Sequence, residues 1–395
     1  MKSIFGMRQS SIYCLSDTVG YFLKEVESMY IALIVILIFA ALILFSIIFM
    51  LAAPVFGGTI SKKRRRELNR SKNYVNSKFV NQIPTFMNMG LKENIGTLRD
   101  FMKKGGQREP GAPIPVETYI KGNGEGGTRI TWFGHSAFLL EIDGKVILID
   151  PMFGKVPSPF PMIGGKRYSS RLPIEIKDLP KIDIVLLSHN HYDHLDYGTI
   201  LKIKNKVDRF ITPLGVGTNL EKWGITKEKI SEHDWWDKVR VDNLNFVCTP
   251  ARHFSGRSLL DRNGSLWCSW VINGQDSKIF FSGDSGYAPH FKEVGEKYGP
   301  FDVTLMECGQ YDKRWAAIHM MPEESVQAHL DVKGKVMIPI HWGAFTLALH
   351  SWTDPVERAS KAAKERGVVL ATPRIGETVE LGSFEYPSSV WWRAL

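Results

Sequence analysis

The chain has 395 residues, 44% of them hydrophobic and 11% aromatic, and a formal net charge of +9. That is ample apolar material for a core and excludes a disordered or low-complexity chain, while the length admits one large domain with appendages as readily as two average ones. Nor does the charge argue for a nucleic-acid partner: the run 62–72 carries seven Lys and Arg against Glu67 alone, six of the nine net charges, so the remainder is only mildly basic.

Residues 1–28 form an N-terminal segment, and from Ser28 to Ser61 no residue is charged. The stretch 29–56 (MYIALIVILIFAALILFSIIFMLAAPVF) is almost wholly apolar and exceeds the ~20 residues that cross a bilayer as a helix. A cleaved signal peptide would be shorter and start nearer residue 1, and a buried core helix would be less uniformly apolar, so a single transmembrane helix is expected. Only Lys2, Arg8 and Lys24 precede it and seven basic residues follow within 62–72, which puts the larger, C-terminal part of the chain on the cytoplasmic side. The basic run would also draw anionic lipid. Residues 57–119, punctuated by Gly57, Gly58, Gly105, Gly106, Pro110, Gly111 and Pro113, read as a basic juxtamembrane connector with a few helical turns.

From about residue 120 to 385 short apolar runs bounded by Gly, Pro, Asn and Asp predict β-strands. They are TRITWF (128–133), AFLLEI (137–142), KVILID (145–150), IDIVLLS (182–188), NFVCTP (245–250), LWCSWVI (266–272), KIFFSG (278–283), DVTLME (302–307) and KVMIPI (335–340). Asp143-Gly144 between the second and third marks a two-residue hairpin. Helices are expected at 288–298, at 322–330 with Pro322 in its first turn, and at 354–366, giving two layers of sheet with helices outside. Residues 386–395 are left as a tail. Cys14, Cys248, Cys268 and Cys308 form no CxxC pair and read as small core residues, consistent with a reducing compartment.

The chemistry sits where strands end. IDIVLLS leads into His189-Asn190-His191-Tyr192-Asp193-His194, NFVCTP into His253, KIFFSG into Asp284 and KVMIPI into His341. Imidazoles two apart in a loop can turn to one ion while Asp193 and His194 turn to a second. Five ring nitrogens and two carboxylates suit a pair of borderline divalent ions such as Zn2+, with Mn2+ or Fe2+ left open.

This motif set resembles the metallo-β-lactamase superfamily over roughly residues 120–385. The resemblance implies an αββα sandwich, one metal held by His189, His191 and His253, the other by Asp193, His194 and His341, and Asp284 bridging them. Within the superfamily, TWFGHSAFLLEIDGKVILIDPMFG, SPFPMIGGKRYSS, LLSHNHYDHLD, FFSGDSGYAPHF, HMMPEESVQAHLD and IPIHWGAF are similar to the N-acylphosphatidylethanolamine-hydrolysing phospholipases D. That branch implies a catalytic centre of Asp193, Asp284 and His319, with His319 touching the substrate phosphate. It also implies release of N-acylethanolamine, leaving phosphatidic acid. The segment 348–352 (ALHSW) departs from the acidic stretch expected there, which leaves head-group and acyl preference open.

Asp150 is equally readable as the orienter of a ligand histidine or as a turn residue, and His135 as a hydrogen-bonded structural residue. Trp235, Trp236, Phe254 and Trp315 are expected in core packing, with an acyl-chain wall as the alternative. No role is expected for His233, His290, His329 or His350. Partners expected are a phospholipid substrate, the membrane through 29–56 and 62–72, and a second copy in a homodimer, with no nucleic acid. The competing functions are a lactonase or thioesterase on the same metals and, from another class, a non-catalytic membrane scaffold.

Overall fold

The computed structural model describes residues 3–86, 90–103, 105–122 and 127–395. It divides into two compact units, Met1–Ala53 and Pro54–Leu395.

The first unit is one helix, Ser3–Ala52. Its stretch Tyr21–Ala52 is long and apolar enough to cross a membrane, and none of its most apolar window is buried. The expected span of 29–56 ends too late. Pro54 lacks an N–H and disfavours helical backbone in the residue before it, so the helix stops at Ala52. Pro54–Phe56 is a separate short turn whose Phe56 is buried in the second unit.

In the second unit two seven-stranded sheets share one pattern. The first runs Thr378–Glu380, Arg129–Trp132, Phe138–Ile142, Lys145–Ile149, Ile182–Leu186, Val207–Pro213, Ile230–His233. Its first three pairings are antiparallel and its last three parallel. The second runs Lys238–Val241, Leu244–Thr249, Ser269–Asn273, Lys278–Phe281, Phe301–Glu307, Gly334–Ile340, Val369–Leu370, with the same succession of three antiparallel and three parallel pairings.

Alternation along each strand sorts side chains between two faces. Ile147, Ile149, Ile184 and Leu186 of the first sheet meet Phe246, Trp270, Ile279, Phe281 and Ile338 of the second in the central core. Leu148 and Val185 face outward under Ile200 and Ile203 of helix Tyr197–Ile203. Phe280, Met306 and Met337 do so under helices His290–Tyr298, Pro322–Asp331 and Asp354–Arg366. This is the expected four-layer αββα order.

All nine predicted strands form. Of the strands of the two sheets that escaped prediction, Ile230–His233 and Lys238–Val241 are short and half exposed with no apolar run, and Thr378–Glu380 and Val369–Leu370 are only two or three residues long. Val207–Pro213, although mostly buried, has its apolar residues interrupted by Asp208 and Arg209. The segment 57–119 has the expected helical turns, Lys62–Leu68 and Leu91–Met102, but also packs on the domain. Leu68, Tyr74, Phe79 and Ile114 enter the central core, and Asn76-Ser77, both with positive φ, close a hairpin between Tyr74–Val75 and Lys78–Phe79. Nor is 386–395 a loose tail, since Trp391 and Trp392 are buried and Trp391 stacks on Trp342 at 5.5 Å.

Candidate metal centre

Strands of both sheets end on the same edge, where every sequence-predicted ligand is found. His189, His191, His253 and Asp284 form one group whose ligand atoms lie within 4.8 Å of one another, and Asp193, His194 and His341 form a second group with His135. Asp284 spans the two: its Oδ2 lies 3.8 Å from His189 and from His253 Nε2 and 3.0 Å from His194 Nε2, and its Oδ1 lies 3.1 Å from His341 Nδ1. Gly283 makes this approach feasible. Its φ is +55° and an added Cβ would lie 2.6 Å from the Cys268 carbonyl oxygen.

The backbone is strained around these groups. His135, Asp150 and His341 all have positive φ (57°, 39° and 67°), a conformation that non-glycine residues adopt at a cost the surrounding structure must offset. Buried hydrogen bonds hold them: His135 N donates to Trp342 O and His341 N to His135 O.

Asp150 resolves in favour of the orienting role. Fully buried at the end of Lys145–Ile149, it accepts from Ser188 N at 2.8 Å, from Ser188 Oγ at 2.5 Å and from His194 Nδ1 at 2.7 Å. Ser188 Oγ in turn accepts from His189 Nδ1 at 2.9 Å. One carboxylate thereby fixes two rings with their Nε2 atoms inward. His253 is fixed likewise, its Nδ1 donating to Ile318 O at 2.9 Å. His135 Nε2 donates to Asp193 Oδ2 at 2.9 Å, so the expected structural histidine braces a candidate ligand.

The donor set fits metal ions. His189 Nε2 and His253 Nε2 lie 2.9 and 3.2 Å from His191 Nδ1, three ring nitrogens that no single proton can satisfy. The buried His194 Nε2 and Asp284 Oδ1 make no hydrogen bond in the protein. Burial lowers the pKa of His189, His253 and His341 well below the ordinary imidazole value and that of His191 to about 3, which keeps their lone pairs available near neutral pH. For His194 burial acts the same way, but Asp284, Asp193 and Asp150 outweigh it and hold the ring well above its usual value. A cation entering beside it would replace that proton. Burial raises Asp193 less than His194 and His135 lower it, so this carboxylate stays ionised.

His319 lies at the mouth. Its ring stacks on His341 at 5.2 Å, and its Nδ1 is bonded to Glu307 Oε1. Glu307 is completely buried, accepts from Ser285 N at 2.5 Å, and is pushed well above the usual carboxylate range by burial and by Asp284. Sequence reading missed it, although DVTLME ends in Glu307 on the same edge as the other strand ends. Two further contributors were missed. Asn81, from the supposed connector, donates to His253 O at 2.8 Å and accepts from His253 N at 3.1 Å. Arg257, buried, donates to Asn190 O and Leu195 O at 2.8 and 2.7 Å and so ties down both ends of the ligand loop.

Of the four aromatic residues considered for an acyl-chain wall, two lie here: Phe254, 4.4 Å from the His191 ring, packs with Trp315, Ile318 and Ala348. Trp235 is in the central core and Trp236 stacks on Tyr298, both as packing. His233, His290, His329 and His350 bond to Ser231, Ser285, Thr304 and Gln310.

Comparison with known proteins agrees with this geometry. Residues 145–342 match a beta-lactamase superfamily domain. An uncharacterized protein of Mycobacterium tuberculosis is 39% identical over 347 residues, 86% of this chain and 92% of that one. The N-acyl-phosphatidylethanolamine-hydrolyzing phospholipase D 1 of Caenorhabditis elegans is 33% identical over 271 residues, 65% of this chain and 75% of that one. An isothiocyanate hydrolase from Delia radicum gut bacteria, 20% identical, superposes with a TM-score of 0.51 over 65% of this chain and 100% of that one, a likeness of fold alone. With its two-sheet sandwich and its His/Asp clusters able to hold metal, the chain belongs to the metallo-β-lactamase superfamily and is a metal-dependent hydrolase of it.

Proposed function

We propose that the chain is a membrane-anchored phosphodiesterase that holds two Zn2+ ions and cleaves N-acylphosphatidylethanolamine, releasing an N-acylethanolamine and leaving phosphatidic acid. The observation that carries this reading is the 33% identity over 75% of the C. elegans phospholipase D, since the donor set alone suits many hydrolyses.

His189, His191 and His253 would hold one ion, Asp193, His194 and His341 the other, with Asp284 serving both. When bound, the ions supply Lewis acidity, acidifying water in the site and offsetting charge that grows on the phosphoryl oxygens. Water adds to phosphorus through its oxygen, the bond from phosphorus to the N-acylethanolamine oxygen breaks, and that oxygen takes a proton from His319. The proton that the water gives up restores His319. Glu307 holds Nδ1 of His319, which leaves Nε2 for the phosphate and for this transfer. Phe254, Trp315 and Ile318 give an acyl chain an apolar wall beside the reacting group. The helix within Tyr21–Ala52 would anchor the chain, and the basic residues following it support a site on the cytoplasmic side.

The test is product analysis of the purified full chain on N-acylphosphatidylethanolamine in mixed micelles. N-acylethanolamine and phosphatidic acid in equal amounts are expected. Diacylglycerol with a phosphorylated N-acylethanolamine would put the cleavage on the other side of phosphorus. Intact lipid alongside hydrolysed lactones or thioesters would replace the substrate class.

A further inference from the structure

Two loops carry large apolar side chains outward. In loop 156–164 Met162 is 96% and Ile163 62% exposed, and in loop 256–264 Leu259 is 89% and Leu260 57% exposed. Soluble surfaces scatter single apolar residues, whereas adjacent pairs at two loop tips point to a partner.

Both loops adjoin the metal centre. The second follows directly from His253 and Phe254, and Arg262 on it lies over the Phe254 ring at 4.5 Å. The first opens after Asp150 and Met152 and closes at Arg167, which donates to Met152 O at 2.5 Å and lies over Phe345 at 4.6 Å, beside His135.

Both loops also touch Pro54–Ile60, the residues that directly follow the apolar helix. Phe160 meets Phe56 edge-on at 6.1 Å, and Arg257 donates to Val55 O at 2.9 Å. The helix ends at Ala52, so this segment is covalently within a few residues of any bilayer the helix occupies. Exposed cations adjoin these segments along the chain: Lys155 and Lys166 flank the first loop, Arg262 is on the second, and Lys62, Lys63, Arg65 and Arg66 follow the linking segment. Apolar tips with cations next to them in the chain match an anionic lipid surface, with headgroup phosphates outside and acyl chains beneath.

We propose that the tips of loops 156–164 and 256–264 insert into the membrane surface and seat the mouth of the metal centre against it, so that a phospholipid reaches His319 and the ions without leaving the bilayer. This rests on the reading of the substrate as a membrane diester, but docking can be measured without hydrolysis. Met162→Cys and Leu259→Cys are made singly in the full chain with Cys14 replaced by Ser; the other cysteines, Cys248, Cys268 and Cys308, are buried. Each is labelled with an environment-sensitive fluorophore and reconstituted in nanodiscs containing anionic lipid. Phe384→Cys is the control: it is fully exposed and lies beyond Glu380, which pairs with Arg129 at the start of the strand leading to His135, hence at the opposite end of the sheet.

Labels at 162 and 259 should emit at shorter wavelength than the label at 384. They should also lose at least half their intensity when the lipids carry an acyl-chain nitroxide, with the control unaffected. Spectra matching the control would overturn docking. A shift to shorter wavelength without nitroxide quenching would also overturn it, because the tips would then be covered by protein. If the labels are quenched but N-acylphosphatidylethanolamine stays intact, docking stands and the substrate assignment falls.

Discussion

His189, His191 and His253 meet as neutral imidazoles, whereas Asp193, His194 and His341 bring a carboxylate, a ring that carries a proton until a cation displaces it, and backbone held in a left-handed conformation at His341. Asn81 clamps only the first group, through His253, whereas Arg257 holds the ligand loop at Asn190 and Leu195 and so steadies residues of both groups. The second is set by buried strand ends and the His135 brace. One site is thus assembled from two ligand sets with different electrostatics, joined above by Asp284 and below by Asp150. Each group can be perturbed separately, and each shared carboxylate should perturb both.

Asp284→Asn should have the largest effect, because it removes the anion common to both groups. Metal content should fall in both, and activity on a phosphodiester should drop by roughly 10³-fold or more, a loss on the scale of transition-state charge stabilisation. Elemental analysis and kinetics on the same preparation check this.

Asp150→Asn against His135→Asn sharpens the contrast. Asp150 orients His189 through Ser188 and His194 directly, so its loss should weaken both ions by about 10–100-fold, the usual cost of a lost outer-shell partner. His135 braces only Asp193, and Asn tolerates its positive φ. That variant should weaken one ion and leave the other, giving two distinct steps in a chelator titration.

Glu307→Gln separates metal holding from proton handling. It should keep both ions, lower kcat by roughly 10–100-fold within the usual range for a disturbed acid–base group, and change the pH profile of kcat. Loss of metal instead would make Glu307 part of the metal site.

The smallest effect concerns histidines used for packing. Burial lowers His290 to about 3 and His329 to about 4, below the unfolded value of ~6.5. Above pH ~6.5 neither state binds the proton. As pH falls from there toward 4 only the unfolded chain takes it up, so stability is lost by up to about 1.4 kcal/mol per pH unit for each group. Urea unfolding of the metal-loaded protein should show this decline, and His329→Asn should make it shallower.

Much of this was legible in the sequence for a physical reason. The αββα order and all seven candidate ligands sit at the ends of apolar strands, where period-2 burial and a sudden His or Asp are both visible. Asp150 was half legible, since a terminal Asp fits a turn equally well until Ser188 and His194 are seen to converge on it. Glu307 had the same signal as the ligands, but a lone Glu ending a strand carries no spacing pattern. Asn81 and Arg257 were not legible, because their bonds to His253 and to the ligand loop join positions 172 and 67 residues apart. The connector was misjudged because its glycines and prolines hid the few apolar residues, Leu68, Tyr74 and Phe79, that anchor it in the core.

The most direct test is to strip the purified full chain of metal, restore Zn2+ stepwise, and follow metal content and N-acylethanolamine release on the same samples, with His191→Ala beside it. Activity should rise to a plateau at about two ions per chain and be absent from the variant. Full activity at one ion per chain, or release of N-acylethanolamine by the stripped protein, would contradict a centre in which Asp284 joins two ions.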